Sequence, residues 1–190
     1  MENIKTKIKN SFLEIWWDPC KLFPVLGFVF TSLVGTLLHF LPDVADNNFV
    51  SLFAPVNESV WEHLKLLFFP YLAFIAAEYF AYGKWTRGFL GAKMRGAVIG
   101  MSLIVSVHYV VSGIVGKDVM WVDVTLFFVG VLVAYLLPYI AIKRGATKNY
   151  STLSAATVLA LIFIAFAIFT FATPPLGIFM DPESGTYGIA

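Results

Sequence analysis

A chain of 190 residues that is 59% hydrophobic, only 13% charged and has a mean hydropathy of +0.80 has too little polar surface to clothe a water-soluble domain. Its 13 basic and 12 acidic side chains leave a net charge of +1, which excludes the electrostatic footprint of a nucleic-acid binder. One cysteine, Cys20, excludes internal disulfides and thiolate zinc sites, so the partners to consider are membrane lipids, ions and small or lipid-linked molecules.

In chain order, Ile4, Ile8, Phe12, Ile15 and Trp16 recur at helical spacing opposite Lys5 and Lys9. This pattern predicts a short amphipathic helix over 1–19, lying in the membrane interface. A cleaved signal peptide is the competing reading, but the apolar run that follows is too long for a signal and no small-x-small site follows it. A bilayer core of roughly 30 Å needs about 20 apolar residues per helix. Stretches 22–41, 60–82, 96–115, 121–142 and 152–172 meet that length, separated by Pro42 with 43–48, Gly83-Lys84, Gly116-Lys117-Asp118 and Lys143-Arg144-Gly145, and closed by Pro174-Pro175. The expected fold is an all-α, polytopic membrane helix bundle of five transmembrane helices. It forms a single integral membrane domain over 1–190, with 22–172 as the bundle and 173–190 as an extracytoplasmic tail or lid.

Basic residues concentrate in short cytoplasmic loops. Lys5, Lys7, Lys9 and Lys21 precede the first span, Lys84, Arg87, Lys93 and Arg95 follow the second, and Lys143, Arg144 and Lys148 follow the fourth. The alternate segments carry Asp43, Asp46, Asp118, Asp181 and Glu183, with Lys117 as their one loop cation. A multi-pass protein of the cell membrane follows, with the N-terminus cytoplasmic and the C-terminus outside. Small residues four apart mark close helix contacts in lipid. Ala92, Gly96 and Gly100 form one such line and Gly27, Thr31 and Gly35 another, which predicts a central third span; the alternative is a homodimer face.

Ionisable residues gather at one depth. His39 ends the first span, His63 opens the second, and His108 is seven residues, roughly 10 Å, below the outer end of the third. Glu58 and Glu62 share a helix face at i,i+4, Asp123 begins the fourth span, and Asp181 follows the fifth. Intramembrane ionisable groups are costly and face a bundle interior or a watery cavity, which makes these residues functional candidates. Structural roles compete: Ser59 to Glu62 reads as a capping box, Asp123 as a helix cap, and a tyrosine such as Tyr135 can satisfy His108. Lys65, three residues after Glu62, is expected to pair with it, and Glu78 reads as an acid at the inner interface.

The segment Pro55-Val56-Asn57-Glu58-Ser59-Val60-Trp61-Glu62-His63-Leu64-Lys65 resembles the signature of an uncharacterised family of small bacterial integral membrane proteins, a domain of unknown function. The resemblance runs over the whole chain and implies that these residues form one site, without implying an activity. The HExxH and double-glutamate patterns of intramembrane CAAX-type proteases and the paired terminal histidines of ceramidases are absent from the sequence.

Two functional readings follow. In the first, His39, His63 and His108 hold a divalent metal, zinc above others, with Glu58 as a further ligand and Glu62 as general base. Asp181, Asn57, Lys65 and Tyr135 then contact substrate or close the site. The reaction is hydrolysis of a lipid or lipid-linked substrate reached from the outer leaflet. A variant uses Ser59 and His63 as nucleophile and base. In the second reading the same His/Glu cluster is the proton- or cation-responsive site of a small-solute transporter or channel, with the irregular segment 42–57 as its gate. A purely structural polar band is the third option.

Overall fold

The computed structural model describes residues 19–45 and 47–189. The expected interfacial helix ahead of residue 19 lies outside them. Six α-helices follow in order: α1 Pro19–His39, α2 Asn48–Phe53, α3 Val60–Ala81, α4 Phe89–Val115, α5 Met120–Lys143 and α6 Thr152–Phe171, with 3-10 turns at Gly83–Trp85 and Gly177–Phe179. All but α2 are long and apolar enough to cross a membrane, and the described residues form a membrane helix bundle without strands.

Two expectations about element limits change. α4 starts at Phe89 rather than at residue 96, because Lys93 lies inside the helix and is neutralised there. Segment 42–57 is not irregular throughout. Asn47 caps α2, its side-chain oxygen accepting from the Phe49 and Val50 amides at 3.1 Å each.

Lipid is as apolar as leucine, so these helices gain packing rather than a hydrophobic driving force from association. The packing centre is α3, not the third span as the small-residue line suggested. Over its most apolar window α3 is 56% buried, against 11% for α4. Its Leu67, Phe68 and Tyr71 are fully enclosed, and Phe68 and Phe69 pack their rings on Phe166 of α6. The Tyr71 hydroxyl shares its one hydrogen between the carbonyls of Lys93 at 2.9 Å and Ala134 at 3.0 Å, joining α3 to α4 and α5 at once. Tyr135 is hydrogen-bonded to Thr31 at 2.9 Å and so ties α5 to α1; it is not the partner of His108.

Ala92, Gly96 and Gly100 are buried. Gly96 and Gly100 lie against Ala134, Pro138 and Gly130 of α5, so this line serves packing within the chain. Gly27 and Gly35 play the same part against Tyr135 and Phe127. Glu78, expected at the interface, is fully buried and ion-paired with Lys93 at 2.5 Å. The other oxygen of Glu78 accepts from the Tyr82 hydroxyl at 3.1 Å. The charges thus divide the bundle. Lys84, Arg87, Arg95, Lys143, Arg144 and Lys148 occupy one end, and Asp43, Glu58, Asp118, Asp123, Asp181 and Glu183 the other.

Candidate metal centre

At the acidic end the chain enters α3 through Asn57 and Ser59. The Asn57 side-chain oxygen accepts from the Ser59 amide at 3.0 Å, and the Ser59 hydroxyl accepts from the Glu62 amide at 3.4 Å. Only this half of the capping box forms, because the Glu62 side chain turns inward instead of back to Ser59. Its Oε2 accepts from Lys65 Nζ at 2.5 Å and from the Val56 amide at 3.1 Å, and its Oε1 from the Thr170 hydroxyl at 3.2 Å. Lys65 Nζ also donates to the carbonyls of Ser51 at 2.8 Å and Ala54 at 3.3 Å, satisfying the C-terminal end of α2 where its dipole favours a cation. Both oxygens of Glu62 are therefore engaged in a buried structural network.

The next residue, His63, points to a different face, as the 100° step of a helix requires. Its Nδ1 is 3.0 Å from the Ser59 carbonyl oxygen. A carbonyl only accepts, so Nδ1 carries the hydrogen and the lone pair of the neutral ring is on Nε2. That Nε2 is 3.4 Å from Glu58 Oε2. The ring of His39, arriving from the last residue of α1, has its centroid 5.2 Å from that of His63, and His39 Nδ1 is buried with no hydrogen-bond partner. One ligand atom from each of His39, Glu58 and His63 falls within 4.8 Å of the others. Glu58 is 46% exposed and His63 33%, so the cluster is reachable from outside the bundle. Ser59 is 1% exposed and offers His63 its carbonyl rather than its hydroxyl, which removes the serine-nucleophile variant.

His108 is not brought to this cluster. Its Nδ1 is 2.7 Å from Asp123 Oδ1 and its Nε2 3.6 Å from Asp118 Oδ1, an arrangement that clamps the turn between α4 and α5. Asp123 is accordingly a histidine partner and not a cap; Val119 takes the cap position, with no side-chain hydrogen bond. Asp118 was visible in the sequence only as a loop acid. Nothing in the spacing marks it as facing His108.

The C-terminal segment folds back over the centre. Phe179 is 6% exposed, its ring 5.1 Å from Trp61 and 5.3 Å from Phe169, and Met180 pairs with Tyr187 across a tight turn. The Asn57 amide donates to the Gly188 carbonyl at 2.9 Å. Asp181 accepts from the amides of Glu183 at 2.8 Å and Ser184 at 3.3 Å and from the Glu58 backbone, so it braces the turn that carries Glu58. Partial desolvation raises its pKa, yet these donors outweigh that and hold the carboxyl below its ordinary 3.8. With a folded value below the unfolded one, the turn's stabilisation is complete above 3.8 and is lost only as pH falls through the lower value. A side-chain carbon-13 titration of Asp181 should therefore give a midpoint below 3.8, and a midpoint at or above it would contradict these contacts.

Residues 17–189 match the model of a family described as a family of unknown function (DUF6512). No curated protein and no solved structure matches the chain.

Proposed function

Since the chain belongs to the DUF6512 family of unknown function, no activity comes with membership, and we propose from its own geometry that His39, Glu58 and His63 bind a divalent transition metal at the acidic end of the bundle. The observation that carries the proposal is the placement of the His63 ring, with Nδ1 on the Ser59 carbonyl and Nε2 turned toward Glu58. Its Nε2 lone pair faces the Glu58 carboxylate, with a His39 ring nitrogen in the same cluster. Acceptors so placed repel one another unless something positive lies between them. A proton on Nε2 relieves one contact, whereas a divalent cation satisfies all three. Two imidazoles and one carboxylate are the donor set of zinc sites that keep a fourth position open. The bond from His63 Nδ1 to Ser59 is the outer-shell contact that orients such a ligand.

A metal there would lower the pKa of a water in its open position toward about 7, which suits hydrolysis of an ester, amide or phosphoester. The substrate class is lipid or lipid-linked, because the centre is at the end of apolar helices and half-open to the surroundings. The distribution of basic residues argues that this end faces outward. Transport has less support. Two residues beyond His63 the Lys65 ammonium is fully buried, and past it Leu67, Phe68 and Tyr71 are enclosed, so α3 offers a cation no open path inward. Segment 42–57 is held by that same lysine rather than hinged as a gate.

Metal content of detergent-purified, zinc-reconstituted protein provides the test. Wild type and His108→Ala should each hold about one metal per chain, while His39→Ala and His63→Ala should bind at least tenfold more weakly. A wild type without metal, or a His108→Ala loss equal to that of His63→Ala, would overturn the proposal.

A further inference from the structure

At the opposite, cationic end the turn between α3 and α4 meets the turn between α5 and α6 and leaves a cavity of about 650 Å³. Lys84 and Arg87 line it from the first turn and Lys148 from the second, and among the described residues no carboxylate lines it. The walls are aromatic: Tyr79, Trp85, Phe89 and Tyr150. Two contacts hold them in place. The Arg95 guanidinium stacks on Tyr150 at 3.4 Å from the ring centroid, and the Lys84 ammonium is 4.1 Å from the centroid of Trp85.

The cavity is preformed rather than a gap between independent loops. Gly88 adopts φ +72° with its backbone pressed on the Thr147 carbonyl, where a side chain would collide. The Thr147 hydroxyl donates to the Arg87 carbonyl at 2.7 Å. The two turns are thereby locked around the space between them. Beside it the last turn of α3 exposes Phe80 at 70%, and the following turn exposes Trp85 at 73%. Such aromatic residues are at home at headgroup level, where the ring contacts hydrocarbon and the edge contacts water.

We propose that this cavity binds the phosphate-bearing headgroup of an anionic lipid, one molecule per chain. Lys84, Arg87 and Lys148 neutralise the phosphate, Thr86 and Asn149 reach headgroup hydroxyls, and Phe80 and Trp85 lie along the acyl chains. Three cations with no opposing acid among the described residues favour an anion over a zwitterion. The exposed aromatics beside the cationic wall favour a lipid over a free phosphate.

Native mass spectrometry of the full chain in detergent, titrated with phosphatidylglycerol, phosphatidylcholine or glycerol phosphate, tests the assignment. Wild type should retain one phosphatidylglycerol in preference to phosphatidylcholine, and glycerol phosphate should not displace it. Arg87→Gln with Lys148→Gln should weaken retention about twentyfold. Lys143→Gln with Arg144→Gln removes equal charge from the same end outside the cavity and should leave retention within twofold. Equal weakening by both pairs would reduce the effect to a diffuse surface potential and overturn the site. Displacement by glycerol phosphate as effective as by lipid would overturn the lipid assignment. Circular dichroism of each variant distinguishes lost binding from lost fold.

Discussion

Replacing Glu62 by Ala, or Lys65 by Met, is expected to destabilise the bundle by about 3–5 kcal/mol, since each leaves an uncompensated charge in the interior. Both side chains are buried, at 3% and 0% exposure. Glu62 reaches segment 42–57 through the Val56 amide and α6 through Thr170, and Lys65 holds the end of α2. Losing Glu62 frees the Val56 amide and the Thr170 hydroxyl, and losing Lys65 frees the Ser51 and Ala54 carbonyls, in each case besides breaking the ion pair. Glu62→Leu with Lys65→Met removes both charges together and should cost less than the sum of the two single changes. It should not return to wild type, because the Val56 amide and the Ser51 and Ala54 carbonyls remain without these partners. Denaturation in detergent micelles measures all three variants. Additive losses would show that the pair is not coupled.

Gly96→Val is expected to be strongly destabilising at the interface of α4 and α5. A Cβ at Gly96 collides with the Ala134 carbonyl and comes within 2.5 Å of Pro138 Cγ. Neither can yield, the first being backbone and the second a rigid ring. α4 and α5 must separate, which also pulls the Ala134 and Lys93 carbonyls away from the Tyr71 hydroxyl that bridges them. Overpacking of this kind costs about 1–3 kcal/mol before the lost hydrogen bonds are added. Gly113, in the same helix, has nothing within 4 Å of an added Cβ. Gly113→Ala should leave the melting temperature unchanged or slightly raised. A Gly96→Val protein that melts with wild type would contradict the close approach of these helices.

The five spans are legible because a bilayer demands long, predominantly apolar runs, and the sequence supplies five of them. The start of α4 is not. Lys93 reads as a loop cation until Glu78, 15 residues earlier on another helix, is known to neutralise it. The candidate centre was legible in depth but not in direction. Depth follows from counting residues along a span, so His39, His63 and His108 share one end of the bundle. Whether their rings converge depends on which way each helix turns its face. α1 and α3 turn His39 and His63 together, whereas α4 gives His108 to Asp118 and Asp123. Spacing within a helix was the safer guide. The Glu62–Lys65 pair formed as expected, and the step from Glu62 to His63 separates the structural acid from the accessible imidazole.

The central claim concerns three side chains, and anomalous scattering at the zinc edge from crystals of the zinc-reconstituted protein tests it most directly. The account predicts one peak at about 2.0–2.1 Å from His63 Nε2, at similar distance from a His39 ring nitrogen and within about 2.2 Å of a Glu58 carboxylate oxygen. A peak beside His108, or no peak at His63 while the Nδ1 contact to Ser59 persists, would contradict it.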